Sequence, residues 1–124
     1  MGTGSAGFHE SPDKLSRETR DLHRAIVSLM EEFEAIDWYQ QRIDAVEDAG
    51  LKAILAHNRD EEKEHASMLL EWIRRSDPIL DGALREYLFS EGSVVGREGK
   101  LMNRDGAPVG SGPRVSVGSL REAH

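Results

Sequence analysis

Cysteine is absent from the 124 residues. Its absence excludes a disulfide framework, thiol catalysis, iron–sulfur ligation and zinc–cysteine sites, and fits a reducing, cytoplasmic setting. Long apolar runs are missing too. Charged residues make up 31% of the chain and the mean hydropathy is −0.55. No stretch approaches the roughly 20 apolar residues of a membrane span, so no membrane partner is expected. Residues 1–13 lack the basic and apolar regions of a secretory signal, and none is expected. Basic charge is scarce, with 16 Lys and Arg against 23 Asp and Glu, a net charge of −7. Nucleic acid is held by clustered Lys and Arg and is not an expected partner; an acidic surface suits cations better. The length allows one small domain.

Composition shifts near Gly92. Residues 1–90 hold 11 basic and 19 acidic residues, whereas 91–124 hold 5 and 4. Seven of the twelve glycines lie in that second part, with Pro108 and Pro113. Too few apolar side chains are there to offset the entropy of ordering the backbone. The expected organisation is a disordered 1–10, a helical domain over 11–91, a flexible linker over 92–113 and a short terminal peptide over 114–124.

Ser11-Pro12 has the pattern of a helix start, with Ser11 as N-cap. From Leu22 the seam runs Leu22, Ile26, Leu29, Phe33, Ile36, Gln40 and Ile43, in alternating steps of four and three. A turn is predicted around Glu47–Gly50. A second helix to about Arg75 carries the seam Leu51, Leu55, Asn58, Glu62, His65, Leu69 and Trp72. Asp77-Pro78 then opens a short third helix with Leu80, Leu84 and Leu88 on one face, ending before Gly92. No strand pattern competes. The expected fold is all-α: a long antiparallel two-helix hairpin plus a short C-terminal helix. Two helices cannot bury both stripes, so two chains are expected to dimerise into a four-helix bundle.

Three seam positions of the second helix are polar. A buried carboxylate needs a partner. Glu62 and His65 are three apart and share a face, the Glu-x-x-His spacing of carboxylate-bridged metal sites in helix bundles. Glu32 is as far from the predicted turn as Glu62, which sets the two level and places Glu32 beside the Leu29/Phe33 seam. Tyr39, seven residues on, falls on the same stripe. One chain thus offers two carboxylates and one imidazole, half the ligand set of a ferritin-like di-iron site; a second chain supplies the rest. Such oxygen and nitrogen ligation suits iron or manganese. The competing reading of residues 59–65 is a solvated charged face.

Other acidic residues flank these. Glu31 and Glu34 are either solvated surface or a funnel for cations. His57, Glu61 and Glu64 share an outer face at i, i+4 and i+7, where surface ion pairs compete with a secondary cation site. The VSVGSLR segment, Val115–Arg121, follows the linker as a candidate docking peptide.

Together, the stretches His23–Tyr39, Ile54–His65 and Tyr87–Gly92 closely resemble the encapsulated ferritins, and VSVGSLR is similar to the peptide that docks cargo inside encapsulin shells. The resemblance implies a ferroxidase whose di-iron site is carried by Glu32, Glu62 and His65 of each of two chains, with Tyr39 beside it. It implies an iron approach route at Glu31, Glu34 and Trp38, and a peripheral metal site at His57, Glu61 and Glu64. It also implies a ring-shaped decamer, housed in an encapsulin nanocompartment through Val115, Val117 and Leu120. The same residues leave two other functions open: a non-enzymatic cargo adaptor, and another di-metal oxidoreductase such as a manganese catalase or peroxidase.

Overall fold

The computed structural model describes residues 7–98. Described residues form a single turn of 3-10 helix (Pro12–Lys14) and three α-helices: α1 (Arg17–Ala45), α2 (Ala49–Ser76) and α3 (Pro78–Tyr87). They include no strand, and none of their helices is long and apolar enough to cross a membrane. The all-α expectation is borne out. Residues 1–6 and 99–124 lie outside the described part, and with them most of the expected 92–113 linker and all of the candidate docking peptide, Val115, Val117 and Leu120 included.

The described residues divide into two compact units, parted between Ile73 and Arg74. In the first, α1 starts later than the Ser11-Pro12 pattern predicts. The Ser11 side chain caps nothing and donates instead to Asp13. Leu15 is extended, and Ser16 becomes the N-cap, its Oγ accepting from the Thr19 amide at 3.0 Å. Arg20 ties the 3-10 turn down by donating to the carbonyls of Pro12 and Leu15, both at 2.9 Å. The 29 residues of α1 span about 43 Å at about 1.5 Å per residue. The turn is shorter than predicted. Val46 caps α1, and Asp48 starts α2 by accepting from the Leu51 amide at 2.8 Å. Gly50 lies inside the first turn of α2, where a Cβ would come within 3.3 Å of the Asp48 carboxylate.

Pairs across the turn run in opposite directions along the two helices. His65 meets Glu32, and Arg59 donates to Gln40 at 2.8 Å. Helices α1 and α2 are therefore an antiparallel hairpin. The packing face of α1 is rotated one residue from the predicted seam. Leu22, Ala25, Leu29, Glu32, Ile36, Tyr39, Ile43 and Val46 are shielded, in alternating steps of three and four, with Ala25 buried. Ile26, Phe33 and Gln40, predicted on the seam, are exposed. The small Ala25 side chain allows close approach on its stripe, and the bulkier Ile26 and Phe33 turn outward. On α2 the shielded set includes Leu55, Asn58, Glu62, His65 and Leu69 as predicted, but Leu51 and Trp72 are exposed.

In the second unit, Asp77 caps α3 as its sequence predicts, accepting from the amides of Ile79 and Leu80 at 3.0 Å each. Asp81 holds Arg74 and Arg85. Leu80 and Leu84 are half-shielded, but Leu88, predicted on their face, is the exposed C-cap. Phe89 follows in the left-handed region at φ 59°, a place usually taken by glycine. Beyond it, the buried Glu86 carboxylate takes Arg97 at 2.9 Å, which fastens residues 90–97 to α3.

Candidate metal centre

Helix α1 supplies Glu32, and α2 supplies Glu62 and His65. The i, i+3 spacing puts Glu62 and His65 on one face of α2. The hairpin brings Glu32 opposite them. One ligand atom from each of the three lies within 4.8 Å of the others, and all three residues are half-buried. His65 Nδ1 stands 3.4 Å from Glu62 Oε1 and 3.7 Å from Glu32 Oε1.

The two carboxyls crowd each other. A hydrogen bond with Glu62 pushes the Glu32 carboxyl above the ordinary glutamate value of 4.5; desolvation and the Glu62 charge push the same way, and the nearby His65 opposes them. Two carboxylates in contact cannot both ionise freely without a cation. That crowding, and the mixture of oxygen and imidazole donors, fits a hard or borderline metal ion. Two ligand atoms on one ion, each at about 2.1 Å, are about 4.2 Å apart at most, so modest side-chain rotation closes the observed spacing.

Other residues singled out by the sequence take different places. Tyr39 is half-buried on the same face of α1, with the Arg42 guanidinium 5.5 Å from its ring centre. Glu31, Glu34 and Trp38 are exposed on α1. On α2, His57 is exposed and its Nε2 lies 3.7 Å from Glu61 Oε2. Glu64 is exposed, and among the described residues only Glu32, Glu62 and His65 form a three-ligand group. One contact escaped the sequence reading. Glu61 also turns an oxygen to His65 Nε2, at 4.0 Å; their i, i+4 spacing was the signal for it.

Comparison with known proteins extends this picture. Residues 7–91 match the EncFtn-like family. An encapsulated ferritin-like protein of Rhodospirillum rubrum is 52% identical over 98% of this chain and 84% of its own. The encapsulin nanocompartment cargo protein EncC of Myxococcus xanthus is 36% identical over 92% of this chain and 95% of its own. Among solved structures, a crystal structure of a Nitrosomonas europaea protein shares 63% identity, covering 70% of this chain and 96% of that one, with a TM-score of 0.68. With its helical hairpin, its clustered Glu32, Glu62 and His65 and this degree of identity, the chain belongs to the EncFtn-like family, the encapsulated ferritins that its sequence resembles.

Proposed function

We propose that this protein is a ferroxidase, which oxidises iron(II) to iron(III) at a di-iron site shared between two chains, as cargo of an encapsulin iron-storage compartment. The observation that carries the reading is the convergence of Glu32, Glu62 and His65 on one point of the hairpin. Three ligands are too few for two ions. A second copy, related by a two-fold axis, doubles the set to four carboxylates and two imidazoles. Helix α1 presents Ile26, Met30 and Phe33 to solvent at i, i+4 and i+7, exposed by 41%, 41% and 55%. Phe33 directly follows Glu32 along α1; on this reading the stripe pairs two chains, their pairing completes the metal centre, and five such pairs make the ring-shaped decamer.

Iron is here the substrate. In each turnover two iron(II) ions give up one electron apiece. Dioxygen takes both, with two protons, and leaves as hydrogen peroxide; peroxide as oxidant takes two electrons and two protons to become two waters. Carboxylates favour the higher charge of iron(III). Glu62 or its mate bridges the ions, while Glu32 and His65 are terminal ligands. Tyr39 stands beside the site, and Glu31, Glu34 and Trp38 line the approach of iron. His57, Glu61 and Glu64 make a peripheral site for metal. Residues 11–91 are the working domain, 92–113 the linker, and 114–124 the peptide that docks on the shell through Val115, Val117 and Leu120. The names of the Rhodospirillum and Myxococcus relatives, an encapsulated protein and a nanocompartment cargo protein, support that placement.

The test is iron(II) oxidation by the wild type and by Glu32→Ala and His65→Ala, with helix content checked by circular dichroism. The expected result is loss of most oxidation in folded variants. Equal rates in variants and wild type would overturn the assignment.

A further inference from the structure

The two ring nitrogens of His65 face different groups. Nδ1 is turned to the metal centre, between Glu62 Oε1 and Glu32 Oε1. Nε2 is turned away from it, with Glu61 Oε1 4.0 Å off. A neutral imidazole carries one proton, so a ring that offers the Nδ1 lone pair to a metal must hold its proton on Nε2. That proton needs an acceptor outside the centre. Among the described residues, the carboxylate set against Nε2 is Glu61. It lies one helical turn before His65, within reach of a hydrogen bond through rotation of its own outer torsions.

We infer that Glu61 is a positioning residue of the centre: it accepts the His65 Nε2–H and so fixes the ring and the tautomer that present Nδ1 to the metal. The inference rests on the metal-centre reading above. It assigns Glu61 to the inner site, in addition to its contact with His57. The two roles are compatible, because they use different oxygens: Oε1 faces His65 and Oε2 faces His57 at 3.7 Å. The His57 side chain is 71% exposed, so water competes for that contact. Removing an acceptor behind a histidine ligand typically lowers metal affinity by about 10- to 100-fold.

The experiment uses the full chain and zinc(II) as probe, with affinity at the centre read from the His65 ring signals in a nitrogen-15 NMR titration and the Nε2–H read by its exchange. Expected are a protected Nε2–H in the zinc-loaded wild type, and an affinity loss of about tenfold or more in Glu61→Ala, with Nε2–H exchange accelerated. Glu61→Gln loses the charge but keeps an amide oxygen that accepts, so it stays near the wild type. Asp60→Ala, which removes an exposed carboxylate of the same helix paired with Arg59, is expected to leave both readouts unchanged. Unaltered affinity in Glu61→Ala, or equal losses in Asp60→Ala and Glu61→Ala, overturns the inference while the centre itself stands. Zinc binding that survives His65→Ala intact overturns the centre, and the inference with it.

Discussion

Phe33→Gln tests how the two chains pair. Phe33 is 55% exposed, and a phenylalanine side chain presents roughly 150–250 Å². About 80–140 Å² is thus left in water by one chain; at about 25 cal/mol per Å² its burial is worth roughly 2–3.5 kcal/mol. A two-fold interface uses the residue twice. Imperfect packing and the ordering of side chains offset about half of the sum, which leaves about 2–3.5 kcal/mol per dimer. Glutamine is as good a helix former, so α1 itself is not weakened. The dimer Kd is expected to rise about 30- to 400-fold. Sedimentation velocity over a concentration series reads this directly. Iron oxidation should fall with the dimer population if, as proposed, each chain holds half the ligands. Unchanged association in a helical Phe33→Gln protein would refute the pairing through this stripe.

Two other outcomes follow from the same account. Glu32→Gln removes the crowding that raises the Glu32 carboxyl. In the wild type a raised folded value means that the favourable contribution of Glu32 is complete below the ordinary 4.5 and is lost as pH climbs through the raised value. The metal-free Glu32→Gln variant is therefore expected to melt above the wild type at neutral pH, with the difference shrinking as pH falls toward 4.5; calorimetry that finds a constant difference would contradict the crowding. Deleting residues 114–124 is expected to abolish capture by a co-expressed encapsulin shell and to leave iron oxidation intact, read by co-purification and by absorbance; unchanged capture would refute the docking role.

Much of the hairpin was legible in the chain. Alternating steps of four and three from Leu22 and from Leu51 are enough to define two long helices, and Asp77-Pro78 marks the third. The candidate metal centre was legible for the same reason: helical spacing joins Glu62 to His65, and distance from the turn joins Glu32 to both. What escaped was the rotation of α1. Leu22, Leu29, Ile36 and Ile43 belong to both possible seams, and the choice lies between Ala25, Glu32 and Tyr39 on one side and Ile26, Phe33 and Gln40 on the other. Hydropathy favours Ile26 and Phe33. The fold instead places the small and polar residues inward, which puts Glu32 on the packing face and frees an apolar stripe. The start of α1 escaped because Ser11 and Ser16 are both competent caps, and only the fold shows that Arg20 ties down the residues between them. Neither feature leaves a periodic trace.

The central claim is a centre split between two chains, and an anaerobic iron(II) titration of the full-length protein tests it most directly. The account predicts one tight iron per chain, two per dimer, lost in His65→Ala. Two tight irons per chain would place a complete centre within one hairpin, and no tight iron would remove the centre altogether; either result contradicts it.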